Sequence, residues 1–195
     1  MRTNQNIQPL EQPESDLSFK ESQGTPPDKL RVLKIQRTCV HDGPGIRTTI
    51  FFRGCNLRCL WCQNPEALAF RGEITPICNY SIDDIMEVVL RDKEYYFSTS
   101  GGVTLSGGEP LLQDTDSLIR LLQLFKKGNI KVSVETSLYV PRENISRIAP
   151  YIDLFLVDLK VVGDDNLHVK YTKSNRFIRK YNSNIFTIVI RSSYN

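Results

Sequence analysis

Short β-branched or apolar runs alternate along this chain with longer stretches whose hydrophobic positions recur at helical spacing. After a short apolar stretch, Leu30 to Ile35, and a loop carrying Asp42-Gly43-Pro44-Gly45, the run Thr48-Thr49-Ile50-Phe51-Phe52-Arg53 is stopped by Gly54 and predicts a strand. Ser81 with Asp84 three residues on has the form of a capping box. Ile82, Ile85, Met86, Val89 and Leu90 follow at helical spacing and predict a helix to about Tyr96. Gly102 to Ser106 reads as a short strand. Ser117 to Lys127 reads as a helix with Leu118, Leu121, Leu122 and Phe125 inward and Gly128 as its cap. Lys131 to Thr136 is a further strand, Arg142 to Ala149 a short helix after Pro141, and Asp153 to Lys160 a nearly continuous apolar strand. A weaker helical stretch lies within Asn166 to Tyr181, and Ile185 to Arg191 is the fifth strand of the series. Such alternation predicts an α/β fold with a parallel sheet or barrel, whose sites lie at the carboxyl ends of the strands.

Composition narrows the setting. The 195 residues are 40% hydrophobic and 24% charged, ordinary for one globular core. The formal net charge of +3, with no dense basic run, gives no footprint for nucleic acid. No run of 18 apolar residues and no signal-like segment is present, so a cytoplasmic protein without a membrane partner is expected. Residues 1–29, with Pro9, Pro13, Pro26 and Pro27 among Gln, Ser, Glu and Asn, read as a disordered polar tail before a domain over 30–195. Five cysteines, an odd number without an export signal, are read for metal ligation or reactivity before disulfides.

Just past successive strands stand Cys55 with Cys59 and Cys62, then Gly107-Gly108-Glu109-Pro110, Glu135-Thr136, Asp158 with Lys160, and Arg191. Taken singly, Glu135, Thr136 and Arg191 are what any strand shows where it meets solvent. The cysteines are not: three thiols within eight residues let one loop wrap one inorganic centre. Structural zinc sites use four protein ligands and iron–sulfur clusters are normally held by four cysteines, so a triplet points to one coordination position kept for something else. Zinc completed by Cys39 or His41 is the competing reading, and inert thiols a further one.

The Cys55-x3-Cys59-x2-Cys62 loop resembles the radical S-adenosylmethionine (SAM) superfamily, in which three cysteines hold a [4Fe-4S] cluster and SAM chelates the fourth iron. Asp42-Gly43-Pro44-Gly45-Ile46-Arg47, Trp61-Cys62-Gln63-Asn64-Pro65-Glu66 and Gly102 to Pro110 are similar to the glycyl-radical-enzyme activating enzymes, the group of pyruvate formate-lyase-activating enzyme. The resemblance runs from about Leu33 to Arg191 and implies a partial (β/α)6 radical SAM barrel with about five parallel strands, lacking its C-terminal part. It implies an oxidoreductase that cleaves SAM reductively and abstracts hydrogen from a glycine of a partner glycyl radical enzyme, supplied by a flavodoxin or ferredoxin-type electron donor. By the same resemblance Trp61 lies beside the adenine, Gly107, Gly108 and Pro110 shape the SAM turn, and Glu109 offers an acceptor for the SAM ammonium. Glu135, Thr136, Asp158 and Lys160 contact SAM and help hold a monovalent cation, with a backbone oxygen from Leu156. Asp158 and Lys160 are the implied catalytic pair, Arg191 lies near SAM, and Asp42 faces the partner's glycyl loop. Two positions depart from the family: Leu138 and Lys173 stand where Gly is usual, so their turns reach a left-handed conformation less cheaply. Anaerobic ribonucleotide reductase activation and an inactive cluster-binding or partner-binding module are the alternatives.

Overall fold

The computed structural model describes residues 29–68, 79–161, 164–174 and 188–192. The sequence expectations for residues 1–28 and for Cys78 lie outside the described residues. Among the described residues, seven strands form one sheet: β1 (Lys29–Cys39), β2 (Arg47–Phe52), β3 (Asn79–Ser81), β4 (Gly102–Gly107), β5 (Lys131–Thr136), β6 (Leu154–Leu159) and β7 (Ile188–Ser192). Their order is β3-β1-β2-β4-β5-β6-β7. From β2 to β7 every pairing is parallel, which makes the five parallel strands that the alternation predicts. Five helices connect them: α1 (Ile82–Leu90), α2 (Lys93–Thr99), α3 (Thr115–Lys127), α4 (Arg142–Ile148) and α5 (Asp165–Thr172).

Three elements differ from the sequence reading, one of them β3, a three-residue strand that the sequence did not predict. The apolar stretch at Leu30 to Ile35 is the first half of an eleven-residue strand, antiparallel to β2 and to β3. Its second half is polar and largely exposed, which hides it from a search for apolar runs. The helix expected from Ser81 to Tyr96 does begin with the capping box, Ser81 Oγ accepting from Asp84 N and Asp84 from Ser81 N, but it breaks between α1 and α2. At the break the fully buried Asp92 accepts from Arg37 Nε at 3.0 Å and from Thr48 Oγ1 at 2.7 Å. A carboxylate that must turn inward to meet those donors ends the regular helix there.

Period-two alternation sorts the parallel strands into two unlike faces. Ile50, Phe52, Val103, Leu105, Val132, Val134, Phe155 and Val157 form one continuous core with Ile85 and Val89 of α1, Leu118, Leu121, Leu122 and Phe125 of α3, and Ile145 and Ile148 of α4. The opposite face carries Arg47, Thr49, Thr104, Ser106, Ser133 and Glu135. Toward the amino end of the sheet the loop 40–46 lies across this polar face. Asp42 accepts from Thr49 Oγ1 at 2.6 Å through its carboxylate and from Thr104 Oγ1 at 2.7 Å through its backbone oxygen. Arg47, 2% exposed, donates to Pro44 O, Thr104 Oγ1 and Val103 O, and burial pulls its pKa down to about 10. Buried polar groups on this face are thus mutually satisfied at its amino end, which leaves its carboxyl end for ligands.

Candidate active site

At the carboxyl end of β2, Gly54 adopts φ +92° and the chain turns into the cysteine loop. The end of β4 is stitched directly onto it: Gly108 N donates to Phe52 O at 2.9 Å and Glu109 N to Gly54 O at 2.8 Å. That approach requires glycine twice. Gly107 has φ +101°, and a Cβ on Gly108 would lie 2.3 Å from Gly54 O, so no other residue fits without moving backbone. Glu109 follows, 1% exposed, and Pro110 opens a short 3-10 turn over Pro110–Leu112.

The Glu109 carboxylate is fully engaged. One oxygen accepts from Thr136 Oγ1 at 2.6 Å and Leu111 N at 3.3 Å, the other from Ser137 N at 3.0 Å and Ser137 Oγ at 2.8 Å. Burial pushes its pKa up, and these hydrogen bonds work against that push. Two oxygens offer about four acceptor positions, and all four are taken. As placed, Glu109 braces the Gly-Gly-Glu-Pro turn against the end of β5 while lining the cleft where the ammonium is expected.

A cleft of about 250 Å³ opens over the strand ends. It is lined by Cys55, Cys59 and Cys62 together with Gly107, Gly108, Glu109, Glu135, Thr136, Asp158 and Lys160, and by Trp61 and Leu156. Of the residues expected from sequence, Pro110 is buried and is not among those lining the cleft. Arg191 pairs in register with Asp158, and its side chain lies outside the described residues. Asp42 does not line the cleft. Ser106, Ser137, Gln63 and Asn64 line it without having been singled out. Ser106 donates to Glu135 at 2.6 Å, and its signal was parity, two residues beyond Thr104 on the polar face.

Electrostatics around the thiols is uneven. Burial pushes the Cys55 thiol up to about 11 and raises that of Cys59, where Lys160 pulls the other way. Lys160 is ion-paired with Asp158. Burial opposes its charge, but the hydrogen bond and charge of Asp158, with Cys59 and Cys55 behind them, raise its pKa above the ordinary value. Binding a metal centre at Cys55 would therefore release its proton. Among the described residues no three His, Cys, Asp or Glu side chains converge on one point as a single-ion site requires. The donor set is three soft thiols in a cleft that polar and charged groups also line, which suits a cluster sharing the cleft with a polar ligand.

Residues 49–188 match the model of the radical SAM superfamily, a span that holds the cysteine loop and four of the strand ends that line or flank the cleft. The chain belongs to the radical SAM superfamily. It is 32% identical to the trans-4-hydroxy-L-proline dehydratase activating enzyme of Clostridioides difficile, over 76% of this chain and 67% of that protein. It is 40% identical to the pyruvate formate-lyase-activating enzyme of Clostridium pasteurianum, over 69% of this chain and 54% of that protein. The chain thus spans between about half and two thirds of the length of the curated relatives it matches. By fold, it is similar to QueE from Escherichia coli, with a TM-score of 0.51 at 16% identity over 84% of each chain. Within the superfamily it groups with glycyl-radical-enzyme activating enzymes, and the [4Fe-4S] cluster and SAM of that family fit the three thiols and the cleft. No helix among the described residues is long and apolar enough to cross a membrane.

Proposed function

We propose that this radical SAM protein activates a glycyl radical enzyme, and the observation that carries the reading is that three thiols and four strand ends share one cleft. Cys55, Cys59 and Cys62 would hold the cluster. Once bound there, the cluster would supply the single electron for reductive cleavage of SAM, the chemistry by which a hydrogen atom would be removed from a glycine Cα of the partner. The chain's own residues bind and orient. Gly107 and Gly108 let backbone approach the ligand, the indole of Trp61 offers a flat face at the cleft, and Glu135, Asp158 and Lys160 place charge where an amino acid headgroup and a monovalent cation would sit. A flavodoxin or ferredoxin-type donor in the cytoplasm would supply the electron.

Anaerobic reconstitution with iron and sulfide tests this reading. Uptake of roughly four iron per chain, lost on Ser substitution at Cys55, Cys59 or Cys62 and kept on Cys39→Ser, is expected. With dithionite and SAM the loaded chain should release 5′-deoxyadenosine. It should also raise a glycyl radical signal in trans-4-hydroxy-L-proline dehydratase, pyruvate formate-lyase or a related enzyme. Stoichiometric zinc without iron, or a cluster that never cleaves SAM, would overturn it.

A further inference from the structure

The middle of the cysteine loop is held by the end of α5. Arg58 N donates to Thr172 O at 2.8 Å and Leu60 N to Tyr171 O at 3.0 Å, so the two amides that bracket Cys59 occupy carbonyls of the last helical turn. Helix-end carbonyls have no partner within the helix, and here the loop is that partner. On its other side the loop is tied by Asn56 Nδ2 to Tyr139 O. Behind both anchors sits one buried side chain, His168, 7% exposed, whose ring meets that of Tyr139 at 6.4 Å.

His168 Nδ1 lies 3.1 Å from Ser174 Oγ and 3.3 Å from Thr172 Oγ1, the two hydroxyls are 2.9 Å apart, and Thr172 Oγ1 donates to His168 O at 2.8 Å. With the Thr172 proton on the His168 carbonyl, the Ser174 hydroxyl and His168 Nδ1 share the remaining hydrogen bonds among the three groups, a polar knot in which each link polarises the next. The knot fixes the turn that presents Tyr171 O and Thr172 O. It also explains how Lys173 keeps φ +56°, closing the helix through Lys173 N to Val169 O at 3.0 Å: a strained residue persists where its surroundings over-determine it.

We propose that His168, Thr172 and Ser174 are positioning residues that set the path of the cysteine loop around Cys59, and so the geometry and retention of the cluster, without touching it. This rests on the reading that Cys55, Cys59 and Cys62 hold that cluster. Groups that orient metal ligands from behind typically govern tenfold to hundredfold in metal affinity, and nothing else among the described contacts constrains the amides on both sides of Cys59.

The test compares Ser174→Ala, His168→Ala and His168→Asn, the last keeping a hydrogen-bonding atom at the δ position, in the 195-residue chain. In the cluster-free protein, amide hydrogen exchange at Arg58 and Leu60 should quicken about tenfold in Ser174→Ala and His168→Ala, the equivalent of one lost hydrogen bond, while Val132 and Val134 in β5 stay unchanged. His168→Asn should restore protection. In the reconstituted protein the same two Ala variants should release iron to a chelator about tenfold faster or more and shift the electron paramagnetic resonance spectrum of the reduced cluster. Unchanged exchange at Arg58 and Leu60, or acceleration there matched in β5, overturns the proposal. A wild-type chain that takes up no cluster overturns the functional reading instead, while the exchange data still decide this one.

Discussion

Thr136 Oγ1 donates to Glu109 Oε1 at 2.6 Å in a buried pair that joins the end of β5 to the turn after β4. With Ser137 and Leu111 completing the set, the carboxylate acts on the scaffold of the cleft before it can act on any ligand. A substitution there reports on both.

Glu109→Gln replaces an acceptor pair by one acceptor and one amide that faces the Ser137 N–H. It should lower stability by roughly 1.5–3 kcal/mol, the range for hydrogen bonds to a charged group, and weaken SAM binding in parallel. Urea unfolding at unchanged slope, alongside calorimetric SAM binding, measures the two together. A wild-type unfolding midpoint with lost SAM affinity would mean that the carboxylate faces the ligand instead.

Leu138 and Lys173, the two positions where glycine is usual, do adopt left-handed backbone, at φ +58° and +56°. For a residue with a side chain this costs roughly 1–2 kcal/mol, partly offset because glycine loses roughly 0.5–1 kcal/mol more on ordering. Lys173 is exposed, so Lys173→Gly should stabilise by about 0.5–1 kcal/mol. Leu138 is 2% exposed within the core, and losing its side chain costs roughly 2–5 kcal/mol, so Leu138→Gly should destabilise despite the relieved backbone. Thermal unfolding that moves both variants in the same direction would contradict this.

Asp92 sets an acid limit on the fold. Its hydrogen bond from Arg37, with Thr48 and the Arg37 charge adding to it, holds its carboxyl below the usual range, against burial that pushes the other way. Because the folded pKa lies below the unfolded value of about 3.9, the stabilisation is fully present above that value and is lost as pH falls through the folded one. Asp92→Asn should therefore unfold at lower urea than wild type at pH 7, and the gap should narrow by pH 3. An equal gap at both values would mean that the charge contributes nothing.

Much of this protein is legible along the chain because the signals are local. The strands β2, β4 and β5 declare themselves by β-branched runs, β6 by a nearly continuous apolar one and α3 by its periodicity, and the cysteine triplet needs only eight consecutive residues to be noticed. Parity along each strand then places Thr49, Thr104, Ser133 and Glu135 on one face, because successive side chains point to opposite sides. Tertiary structure decided whatever depends on partners far apart in sequence. The break at Asp92 exists because Arg37 and Thr48, 55 and 44 residues away, draw its carboxylate inward. Glu109 is a brace because Thr136 and Ser137, which no spacing rule connects to it, arrive with both donors. The weakest helical signal, α5, supplies the carbonyls that hold the cysteine loop, since a helix end is marked by backbone groups that every residue carries alike and only the fold can say what meets them.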